Sequence, residues 1–142
     1  MELSLLITSN TGLDTTEVPM QLFSNADLLI EQHLYDLALA KFDTLNKTYP
    51  YHPLEDEILW KKHTIERKRG NINGAVEYLE QITTNFSEDV LADNALYELG
   101  VIHENILKDK VKAAEYYKTL LFNYPGSLFL IEARKRFRAL TN

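Results

Sequence analysis

Three abrupt and evenly spaced stops constrain this chain more than any other feature of it. Apolar-periodic runs break off at KTYP (Pro50), TNFS (Ser87) and FNYPGS (Pro125), and the aromatic residues just before the breaks, Tyr49, Phe86 and Tyr124, lie 37 and 38 residues apart. A small residue, a large apolar residue four later and a break eight after that recur three times: Ala38, Phe42, Pro50; Ala75, Leu79, Ser87; Ala113, Tyr117, Pro125. A fixed period of this size marks supersecondary units that stack on one another.

The breaks have local causes. Pro50 and Pro125 lack an N–H and push the preceding tyrosine out of helical geometry, so a helix has to end there. Gly126 is free to take a left-handed conformation, and Ser127 has a hydroxyl to cap a following helix. Ser87 with Glu88 and Asp89 offers a cap and two carboxylates at the positive end of a helix dipole. Between the breaks, from Pro19 onward, apolar residues recur at three- and four-residue steps and nowhere alternate as a half-buried strand would. The pattern predicts helices near 19–33, 35–49, 54–69, 73–86, 89–107, 111–124 and 127–140.

Composition supports a folded domain. The chain has 142 residues, 45% hydrophobic and 25% charged, enough for a real core. Its apolar runs fall far short of the ~20 residues a membrane helix needs. The opening MELSLLITSN has neither a basic flank nor a small-residue cleavage site and is not read as a signal peptide. The compartment stays open between the cytoplasm and, for a piece of an exported protein, the periplasm. Absence of cysteine excludes disulfides and thiolate-bound zinc, and a net charge of −6 argues against binding driven by nucleic-acid phosphates.

The recurring Ala-x3-large apolar motif with a terminal proline resembles the second helix of the tetratricopeptide repeat. In the third unit Leu96, Leu99, Gly100 and His103 stand where that family has its tryptophan, leucine, glycine and tyrosine. In the first unit Leu22, Ala26 and Leu29 fit and Asn25 does not. The second departs most, with Lys62, His63 and Glu66 at places the family fills with leucine, a small residue and an aromatic. The length of the unit and its Tyr-Pro-Gly-Ser ending look closest to repeats of bacterial envelope tetratricopeptide proteins.

The resemblance implies an all-α, right-handed solenoid of three helix pairs over about 19–53, 54–88 and 89–126, closed by a capping helix at 127–140. In that helix Leu128, Ile131 and Leu140 are expected to face inward, with Arg134, Lys135, Arg136 and Arg138 solvated. Residues 1–18 fit no unit and are read as a remnant of a preceding repeat.

In such a solenoid the first helix of each pair lines a concave groove, where protein partners bind. Phe23, Trp60 and Tyr97 form a column at 37-residue spacing on the side assigned to the groove. Val101 shares a helical stripe with Tyr97. The next groove positions carry Ile30, Arg67 and Glu104, then Glu31, Lys68 and Asn105. Against this stands a plainer reading in which the aromatics are core and Arg67 and Lys68 are hydrated at a helix end.

No catalytic, cofactor or metal site is expected, because His33, His52, His63 and His103 are scattered without a paired-ligand motif. The expected function is that of a protein-binding scaffold that recognises a peptide or protein surface, with no nucleic-acid or membrane partner. The alternative is a structural segment of a longer array or a homo-oligomer joined through its end helices.

Overall fold

A computed structural model describes residues 17–142. Among these residues there are seven helices: α1 (Glu17–Glu31), α2 (Tyr35–Thr48), α3 (Glu55–Lys68), α4 (Ile72–Asn85), α5 (Leu91–Asn105), α6 (Lys110–Asn123) and α7 (Leu130–Thr141). They pack as sequential antiparallel pairs, consistent with a tetratricopeptide-like helical repeat. The expected N-terminal remnant lies outside the described residues, apart from residues 17 and 18, which open α1.

The chain divides into two compact units, Met1–Ile58 and Leu59–Asn142, the division falling inside α3. In the first, α1 packs on α2, and Ala26, Ile30, Ala38, Phe42 and Leu45 are buried. In the second, Leu59, Leu79, Ile82, Ala95, Leu99 and Ile102 form one core between α3, α4 and α5. A further core, of Leu96, Ala113, Tyr117, Leu120 and Ala133, joins α5, α6 and α7.

The period seen in the sequence is repeated in the backbone. The caps that end α2, α4 and α6, Tyr49, Phe86 and Tyr124, have φ of −128°, −130° and −131°, and each N–H bonds four residues back, to Leu45, Ile82 and Leu120. In all three the cap carbonyl then accepts from three residues on, from His52, Asp89 and Ser127. The turn inside each pair contains one left-handed residue: His33 (φ 63°), Gly70 (φ 82°) and Lys108 (φ 56°).

In the first two of these turns the following N–H, of Leu34 or Asn71, reaches five residues back to Leu29 or Glu66, as in a Schellman closure. In the third, Asp109 reaches six back, to His103, which absorbs the extra residue of the longer unit. Asn71 and Asp109 also cap α4 and α6 by accepting from Gly74 and Lys112, whereas Leu34 gives α2 no side-chain cap.

Several local expectations are corrected. Gly126 is not left-handed. Ser87 caps nothing, since α5 starts at Leu91 behind Val90. Ser127 accepts from the Phe129 N–H at 3.0 Å within the turn, and this delays α7 until Leu130. The inward face of the capping helix differs from the expected one. Leu128 and Ile131 are 95% and 75% exposed. Phe129, Leu130, Ala133, Phe137 and Leu140 face the core in their place, so of the three expected residues Leu140 alone packs inward.

Candidate functional site

Phe23, on α1 in the first unit, is half-buried with its ring 5.7 Å from that of Phe42. The other candidate residues belong to the second unit, where they gather into two groups.

The first group lies between α3 and α5. Trp60, Arg67 and Lys68 line an open cleft of about 370 Å³ together with His63, Thr64 and Glu98. Trp60 is half-buried against the α3–α4–α5 core. Its indole meets the imidazole of His63 edge-on at 4.6 Å, and its backbone carbonyl accepts from both His63 Nδ1 (2.9 Å) and Thr64 Oγ1 (3.1 Å). Arg67 bonds Glu98 Oε1 at 2.6 Å, tying α3 to α5, while Lys68 is exposed at the rim.

His63 is only 3% exposed, and its Nε2 has no hydrogen-bond partner. Because a carbonyl can only accept, Nδ1 must carry the proton, so the neutral ring presents a bare Nε2. Burial lowers the pKa of His63, the bond to Trp60 opposes that shift, and Arg67 and Glu98 act in opposite directions. Its neighbours on α3 are also accommodated despite their chemistry. Lys62 lies over the Tyr78 ring, and buried Glu66 accepts from Asn71 and pairs with Arg69.

The second group lies between α5 and α7. Tyr97 stacks on Phe129 with centroids 4.8 Å apart and planes 16° from parallel, and the Arg136 guanidinium sits 6.0 Å from its ring centre. Glu104 Oε1 accepts from Arg136 Nη1 (3.1 Å) and from the Tyr117 hydroxyl (2.8 Å). Burial, reinforced by the bond to Glu104, raises the Tyr117 pKa. Val101 is half-buried on the same helix.

The structure thus brings Trp60, Arg67 and Lys68 to one cleft and places Tyr97 and Glu104 under α7. Sequence reasoning missed Glu98 and Arg136, which complete the two groups. The two ion pairs occupy matching places with their signs exchanged, Arg67 to Glu98 from α3 to α5 and Glu104 to Arg136 from α5 to α7. Arg67 and Glu104 were a visible column at 37-residue spacing. A search for opposite charge 31 or 32 residues beyond each would have found their partners.

Residues 94–127 match the tetratricopeptide repeat. Among curated proteins none matches the chain. The matched tetratricopeptide repeat covers most of α5, all of α6 and the turn after it, and contains Gly100, Ala113, Tyr117 and Pro125. A tetratricopeptide repeat implies a protein-interaction scaffold and is typically non-catalytic. Among the described residues no three His, Asp or Glu side chains gather as a metal would require. No helix among them is long and apolar enough to cross a membrane.

Proposed function

We propose that the chain is a protein-binding module that holds a segment of a partner polypeptide in the cleft between α3 and α5. The observation that carries this reading is the contrast between two equivalent positions. Tyr97 has its face covered by Phe129, whereas Trp60, 37 residues earlier, borders an open cleft. A half-buried tryptophan flanked by charges has the makeup of a residue that dominates binding energy, since its indole adds apolar area with little entropy loss. Arg67 and Lys68 at the rim favour an acidic segment, and because Arg67 is already paired with Glu98, exposed Lys68 is the cation left to meet it.

The test is an affinity pulldown with wild type beside Trp60→Ala, followed by titration of the captured partner. The substitution is expected to cost ~2 kcal/mol of affinity with little loss of thermal stability. A strong drop in melting temperature with unchanged affinity would make Trp60 a core residue and end the proposal. A second reading, assembly through the end helices, is favoured by the exposed Leu128 and Ile131 at the start of α7.

A further inference from the structure

The charges of this chain are sorted along it. Residues 1–40 contain six carboxylates and no lysine or arginine, while residues 133–142 contain four cations and no carboxylate. Each of these regions also exposes apolar side chains. At the α1–α2 corner, Leu28, Leu34 and Leu37 are about half exposed, beside exposed Glu31 and Asp36. Leu128, in the turn before α7, and Ile131, on α7, are exposed, and Arg134, Lys135 and Arg138 share the face of Ile131 at steps of three and four residues, Lys135 being also 4.0 Å from Glu132. Arg136 is turned away from that face, toward Glu104 and Glu132.

We infer that the outer stripe of α7 docks on the α1–α2 corner of a second copy of this chain, Leu128 and Ile131 meeting Leu28, Leu34 and Leu37 inside a rim of opposite charges. Two exposed apolar patches on one chain, one beside anions and the other beside mostly cations, are complementary to each other and not to themselves. A contact between unlike faces is heterologous, so it joins the first unit of one copy to the second unit of another. The charges steer the encounter and fix its register, and the apolar side chains supply the burial. This inference rests on the second reading above and is independent of the Trp60 cleft.

The test is sedimentation velocity of the full chain across a concentration series at about 0.01 M salt, where unscreened charges act over about 30 Å. The mean mass is expected to climb with concentration, and added salt should lower it. Two folded variants separate the faces: Arg134→Glu, Lys135→Glu and Arg138→Glu together, and Glu31→Lys with Asp36→Lys.

Each variant alone is expected to lose roughly a hundredfold or more in association. Mixing the two should restore growth, because every acidic face then meets a basic one. Trp60→Ala should associate as wild type does, which separates this contact from partner binding at the cleft. If either charge reversal lowers the helical signal, Ile131→Asp, at an exposed position, replaces it and is expected to abolish growth. A wild-type monomer at every concentration overturns the inference, as does a dimer indifferent to both reversals or a mixture that stays monomeric.

Discussion

The α3–α4 and α5–α6 pairs fill two equivalent buried positions in opposite ways. In the α5–α6 pair the small residue is Gly100 and the large one Tyr117. A methyl group built on Gly100 would overlap Tyr117 Cε1 and lie 2.8 Å from its Cδ1, so the tyrosine ring occupies the space a side chain would take. In the α3–α4 pair His63 stands at the small-residue place and Leu79 at the large one, both buried. The first unit lies between these, with Ala26 and Phe42. The lesson is that the repeat accepts different combinations of small and large side chains at these two places, provided both are buried.

Transplanting one solution into the other should break it. Gly100→His is expected to destabilise the chain by about 3 kcal/mol through overpacking against Tyr117, and adding Tyr117→Leu should recover at least half of that loss in urea unfolding. Additive losses would show that the two positions are not coupled, and the comparison would fail.

A smaller difference between the pairs is titratable. His63 is buried with a lowered pKa, so it binds a proton more readily when the chain is unfolded. Its contribution to stability is complete above the ordinary histidine value of 6.5 and declines as pH falls from there toward its folded value. The midpoint of unfolding should therefore drop between neutral pH and pH 5 with a slope that His63→Phe reduces. An unchanged slope in that variant would assign the dependence to other groups, His52 among them, whose pKa burial also lowers.

The smallest expected effect concerns the mirrored ion pairs. A double-mutant cycle on Arg67 and Glu98, both about one-third exposed, should give a coupling near 0.5 kcal/mol. The cycle on Glu104 and Arg136 should exceed it, because Glu104 also accepts from Tyr117 and its carboxylate is less exposed. Equal couplings would mean that the Tyr117 hydroxyl adds nothing to the second pair.

Much of this architecture was legible in the residues, because its determinants are local. Pro50 and Pro125 mark helix ends through their own backbone chemistry, and the Ala38, Ala75 and Ala113 series placed the buried face of α2, α4 and α6 directly. The start of α7 was not legible. Ser127 could serve as a cap or as a turn acceptor, and only the bond from Phe129 selects between them, moving Leu128 and Ile131 outward.

The candidate site was read in part for a related reason. The column of Phe23, Trp60 and Tyr97 is a feature of the period, but what covers each ring is not. Phe129 and Arg136 reach Tyr97 from a helix outside the three repeats, and the counter-charges of Arg67 and Glu104 lie off the register that a repeat search follows.

The six-residue reach from Asp109 to the His103 carbonyl has a practical bearing on how this protein can be altered. That corner already accommodates one residue more than its two counterparts while α6 keeps its seat on α5. It is accordingly the position at which to graft a fluorophore, an epitope tag or a few extra residues with the least disturbance to the neighbouring helices.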